Sequence, residues 1–187
     1  MLRYTKILFA ALVATIAMAF AASAANAATG ILRGPTTTTA TSTNLTLTVS
    51  SLATVTGTTR LGVLLIPGTY TATTASARQV GGILTADITV GSPANTTVTP
   101  SNLPWLIFWR GELVATNAPR LYANGILLIV RSGVLVKTCT GSFAFSVNAA
   151  GTIDTIDSSV TLTCTGSSTA TLAGTLSNSP AISFTLV

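Results

Sequence analysis

The chain has 187 residues, 48% of them apolar and only 7% charged, with nine basic residues, four acidic ones and no histidine. The missing imidazole excludes the usual Ser-His-Asp and Cys-His catalysis and the commonest zinc ligand. The few arginines are spread singly, which excludes the dense phosphate contacts that nucleic-acid affinity requires.

Arg3 and Lys6 precede an uncharged apolar run over residues 7–20, and Ala25-Asn26-Ala27 fits a small-residue cleavage site. This pattern predicts a secretory signal peptide over residues 1–27, a helix removed on export, with the mature chain starting at Ala28. The run is shorter than the ~20 residues that span a bilayer. Membrane contact is therefore expected only through the leader before cleavage. The alanine-rich leader points to a bacterial chain that is secreted or held in the cell envelope, where disulfides persist. Without Arg3 and Lys6, seven basic and four acidic residues remain, a net charge of +3.

Residues 28–44 hold Gly34-Pro35 and four consecutive threonines, and read as an extended Thr-rich arm, with an edge strand or a site for O-linked sugar as the alternatives. A single domain is expected over residues 45–187. Leu45, Leu47 and Val49 alternate with Thr46, Thr48 and Ser50, the period of a half-buried strand. A second apolar segment over residues 55–66 ends at the turn dipeptide Pro67-Gly68. Gly81-Gly82 breaks the chain, and Leu84, Ala86, Ile88 and Val90 alternate after it. Asn44-Leu45-Thr46 and Asn95-Thr96-Thr97 match the N-glycosylation pattern, which carries little weight in a Thr-rich bacterial chain.

The run Leu103-Pro104-Trp105-Leu106-Ile107-Phe108-Trp109-Arg110 is the most apolar of the mature chain. A strand here places Trp105, Ile107 and Trp109 on one face and Leu106 and Phe108 on the other. Such a strand is covered on both sides or meets a partner with one face. Trp105 and Trp109 either fill the core or, with Arg110 alongside, form a platform for a sugar ring or a hydrophobic ligand. Residues 121–130 and 134–137 read as buried strands interrupted by Ser132-Gly133.

The pentapeptide Thr-Cys-Thr-Gly-Ser occurs at residues 138–142 and again at 163–167, with the only two cysteines of the chain. Alternation after Cys139 and before Cys164 reads as two strands of a hairpin. If Cys139 opposes Cys164, Gly141 meets Leu162, Phe143 meets Val160 and Val147 meets Ile156, so apolar meets apolar. A tighter turn at Ala149-Ala150 moves the cysteines out of direct register. The parity favours a Cys139–Cys164 disulfide, contributing on the order of 3 kcal/mol, over two buried thiols. The remaining strands place Ala170, Leu172 and Leu176, then Ile182, Phe184 and Leu186, toward a core.

The mature acids are Asp87, Glu112, Asp154 and Asp157. Glu112 follows Arg110 by two residues on one strand face, the spacing of a surface ion pair. Asp154 and Asp157 read as solvated turn acids. No pair flanking a single bond and no cation-ligand run is present, so neither enzyme chemistry nor a cofactor or metal is expected.

The Leu103-Pro104-Trp105 strand start, the Thr-rich strands and the C-terminal Cys-Thr-Gly…Cys-Thr-Gly hairpin resemble a group of small secreted bacterial proteins. These are mostly actinobacterial Thr/Ser-rich β domains without an assigned role. The Leu-Pro-Trp strand is also similar to one in the alkane-oxidation activator proteins of pseudomonads. The resemblance covers roughly residues 80–187, implies a secreted β-sandwich and supplies no catalytic residue.

Short strands separated by Gly, Pro and Asn turns predict an all-β, single-domain antiparallel β-sandwich of jelly-roll or Ig-like form. The expected function is that of a non-catalytic structural or surface protein that contacts itself or envelope components. The alternatives are a binding module for a glycan or hydrophobic ligand on the Trp105–Trp109 strand, and a small outer-membrane β-barrel.

Overall fold

A computed structural model describes residues 27–113, 118–147 and 153–187. The expected leader lies outside the described residues except for Ala27. The described chain is all-β, and every strand pairing in it is antiparallel.

Residues 28–44 depart from the expected arm. Strand β1 (Ala28–Arg33) pairs on both sides, and β2 (Thr37–Val49) is a long strand of the main sheet. The Thr run is ordered because one hydroxyl faces inward: Thr38 is buried and its Oγ1 donates to the Pro180 carbonyl at 2.6 Å. In β2 the buried positions change from even (Thr38, Ala40, Ser42) to odd (Leu45, Leu47, Val49) across a register shift between Ser42 and Leu45. A bulge of this kind re-aims the strand and lets the sheet curve. The Asn44 side-chain carbonyl anchors it, accepting from the Thr175 amide at 2.9 Å and the Thr175 hydroxyl at 3.0 Å.

The chain continues through β3 (Ala53–Leu65), β4 (Gly68–Ala72), β5 (Arg78–Ser92), β6 (Thr96–Ser101) and β7 (Trp105–Leu113). It then forms β8 (Pro119–Ser132), β9 (Leu135–Val147), β10 (Ile153–Asp157), β11 (Thr161–Cys164), β12 (Ser168–Thr175), β13 (Ser177–Ser179) and β14 (Ser183–Leu186). Antiparallel strands face one another across one apolar core, as expected of a β-sandwich. The main sheet runs β2-β3-β5-β7-β8-β9-β11-β12, and β12 pairs back onto β2 through Ala170↔Val49 and Leu172↔Leu47. The sandwich is thereby closed into a ring. Ring order follows chain order, an up-and-down connection without the Greek-key crossings of the jelly-roll or Ig-like forms expected.

Gly57 lets β3 and β5 approach closely, since a Cβ there would lie 2.1 Å from the Thr89 carbonyl oxygen. The separate sheet β14-β1-β4 packs against β7 and β8, burying Leu32, Ala72 and Phe184.

The cysteine hairpin keeps its expected register only at the bridge. Cys139 opposes Cys164, and Gly141 packs on Leu162. Farther along, Ile153 opposes Val147 and Ile156 opposes Phe145, with an irregularity between them. The expected Val147–Ile156 and Phe143–Val160 pairs are therefore replaced. The return strand is broken into β10 and β11, so its register need not be uniform.

Candidate functional site

Alternation along β7 turns Trp105, Ile107 and Trp109 inward, and all three are buried. Trp105 is 2% exposed and Trp109 is fully enclosed. The Trp105 ring lies edge-on to Phe143 with centroids 6.5 Å apart, and its Nε1–H donates to the Ser101 carbonyl at 2.9 Å. Trp109 lies edge-on to Phe184 at 4.8 Å, and its Nε1 has no partner among the described residues. The platform reading is corrected: neither indole presents a face to a ligand. Each fills the core, where its large apolar area is best removed from water.

The interior leaves no room for a ligand at this place. A cavity of about 20 Å³ lies between Leu45, Leu61, Trp105, Ile126, Phe143 and Leu172. That is close to one water in volume, far below a small-molecule pocket.

Arg110 lies on the outer face of β7, apart from the indoles, with its guanidinium 4.3 Å from the centre of the Tyr122 ring. The expected Arg110–Glu112 pair does not form. Gly111 has φ of 75°, and the β7–β8 register shifts between Trp109 and Leu113. This irregularity directs Glu112 to Arg120 of β8, whose Nη1 is 3.5 Å from Glu112 Oε2. The Tyr122 hydroxyl donates to the same Glu112 oxygen. Arg120 Nη2 is paired with Asp157 and donates to Ser159 Oγ at 3.3 Å. Asp157 is thus an ion-pair partner, not a solvated turn acid. The side chain of Asp154 lies outside the description.

Burial, followed by the bond to Glu112, pushes the Tyr122 phenol up to about 12. Burial alone would raise the Asp157 carboxyl. The hydrogen bonds from Ser159 and the Arg120 charge outweigh it and hold the group below its ordinary value. Both carboxylates of this cluster are occupied by Arg120, so neither is a free base. The cluster ties β7, β8 and the end of β10 together and has the character of a clamp. Sequence reasoning missed it because Glu112, Arg120 and Asp157 are brought together only by strand pairing. No group of three or more metal-ligating side chains is found among the described residues.

The outer surface carries shallow grooves lined by hydroxyls. One of about 450 Å³ is bounded by Thr43, Asn44, Thr46, Thr56, Thr58 and Gly91. Asn44 is engaged by Thr175, whereas Asn95 stands in an exposed turn. Comparison of the chain with known protein families, with curated proteins and with solved structures finds no match.

Proposed function

We propose that this chain is an exported, non-catalytic protein of the bacterial surface or envelope that works by contact, including contact with copies of itself. One observation carries the reading: both tryptophans and most of the large aliphatic side chains are turned into a filled core, while the strands face outward largely with threonine and serine. Such a surface offers many hydrogen-bonding groups and little charge repulsion. The small sheet supports self-contact, because β14 and β4 each pair only with β1 among the described residues. Their free edges are templates for strand addition.

The buried Trp105 and Trp109 weigh against the ligand-platform alternative. The outer-membrane barrel is disfavoured by its inverted polarity, since a bilayer-spanning barrel needs an apolar outer band and a polar interior. Light scattering coupled to size-exclusion of the chain from Ala28 tests the reading. It predicts dimers or larger assemblies, or retention by isolated envelope material. A strict monomer that ignores that material would overturn it.

A further inference from the structure

We propose that the tip of the β8–β9 hairpin is a docking element for an anionic phospholipid surface. Ser132 opposes Leu135, leaving Gly133 and Val134 as a two-residue turn with Gly133 at φ of 58°. The sequence pattern expected residues 134–137 to be buried. Instead Val134 is 96% exposed, Leu135 57% and Val136 44%, the most exposed run of large apolar side chains among the described residues. β11 meets β9 only at Cys139 and Thr140, so among the described residues Leu135 and Val136 are paired on one side alone, by β8. Arg131 and Lys137 flank this tip, one on each strand.

Three other turns share this end of the ring. The Gly133 amide donates to the Asn95 carbonyl at 3.2 Å, Lys137 Nζ donates to the Thr165 carbonyl at 2.8 Å, and the Ser50 amide donates to the Thr169 carbonyl at 2.8 Å. Those turns, around residues 50–52, 93–95 and 165–167, are uncharged. Asp87 sits opposite Arg60 along β5, and Glu112 and Asp157 are held by Arg120. The end therefore carries an apolar point and two cations with no described carboxylate beside them. This arrangement suits a bilayer boundary: Val134 and Leu135 enter among the acyl chains while Arg131 and Lys137 meet phosphate oxygens. The proposal rests on the envelope reading and names the surface contacted.

The test is co-sedimentation of the chain from Ala28, which holds every described strand, with phosphatidylglycerol/phosphatidylcholine vesicles and with phosphatidylcholine alone. The expected result is binding to the anionic vesicles. Val134→Asp should weaken it by about tenfold or more. The double variant Arg131→Gln/Lys137→Gln should reduce it to the neutral-vesicle level, with thermal melts unchanged in both variants. Absence of binding by the parent chain overturns the proposal, as does equal binding by Val134→Asp. A dimer that Val134→Asp abolishes, without vesicle binding, overturns it in favour of a contact between copies. A chain that assembles or binds envelope material yet ignores these vesicles removes the lipid proposal and leaves the contact reading standing.

Discussion

The two copies of Thr-Cys-Thr-Gly-Ser are identical in residues and different in shape. The first runs extended through β9, with Cys139 opposite Leu128 of β8 on one side and Cys164 of β11 on the other. The second ends β11 at Cys164 and reverses the chain through Gly166 and Ser167, at φ of 73° and 55°, into β12. Gly141 of the first copy has φ of 146°, a conformation different from that of Gly166. Five residues therefore do not choose between strand and turn here. The choice follows from which neighbours complete the backbone hydrogen bonds: the first copy has strands on both flanks, while the second must bring β12 back alongside.

The disulfide between the copies provides the largest test. The double variant Cys139→Ser/Cys164→Ser should lose about 3 kcal/mol and melt about 6–12 °C lower. An unchanged melting temperature would mean that the pairing of β9 with β11 needs no cross-link.

The glycines sharpen the contrast. Gly141→Ala should cost about 2 kcal/mol, because its backbone lies in a region nearly reserved for glycine. Its new Cβ would also stand 3.3 Å from Leu162 Cδ2 in the core. Gly166→Ala should cost about 1 kcal/mol, the penalty of a left-handed residue, since its Cβ meets only the side-chain end of Lys137 at 2.9 Å and no backbone atom. Chemical denaturation of the two variants measures both, and equal losses would erase the distinction between the copies.

The same dependence on distant partners should be visible in titration at the Arg120 clamp. The Tyr122 phenol is raised to about 12 from an ordinary value of 10.0. The folded state then keeps a proton that the unfolded state releases, so stability falls as pH rises between those values. Tyr122→Phe should flatten this alkaline limb in thermal melts. Asp157 is shifted the other way, below 3.8. Its contribution is present above the unfolded value and is lost as pH falls through the folded one. Asp157→Asn should therefore weaken the decline in stability below about pH 4, the smallest of these effects because the group is partly exposed. Unchanged pH profiles would mean that the clamp is not maintained in solution.

Several features could be read directly from residue alternation. Leu45, Leu47 and Val49 face inward as a period of two requires, as do Trp105, Ile107 and Trp109. The Cys139–Cys164 bridge forms as the parity favoured, although only the Gly141–Leu162 contact is kept of the pairs expected around it. Alternation failed at irregularities: between Ser42 and Leu45, at Gly111, and between Ile153 and Ile156. One extra residue at such a point changes the face of everything after it. This is why the expected Arg110–Glu112 pair gave way to Glu112–Arg120, and why Val147 meets Ile153.

Taken alone, the sequence determined an all-β chain and the faces of its regular strands, because these depend on short-range parity, and it favoured the sulfur link. Only the tertiary structure decided that residues 28–44 belong to two strands, that β12 closes onto β2, and that Val134 protrudes while Trp109 is sealed beneath Phe184. Those outcomes depend on which distant strand lies alongside and where its pairing stops, and a one-dimensional alternation does not encode that.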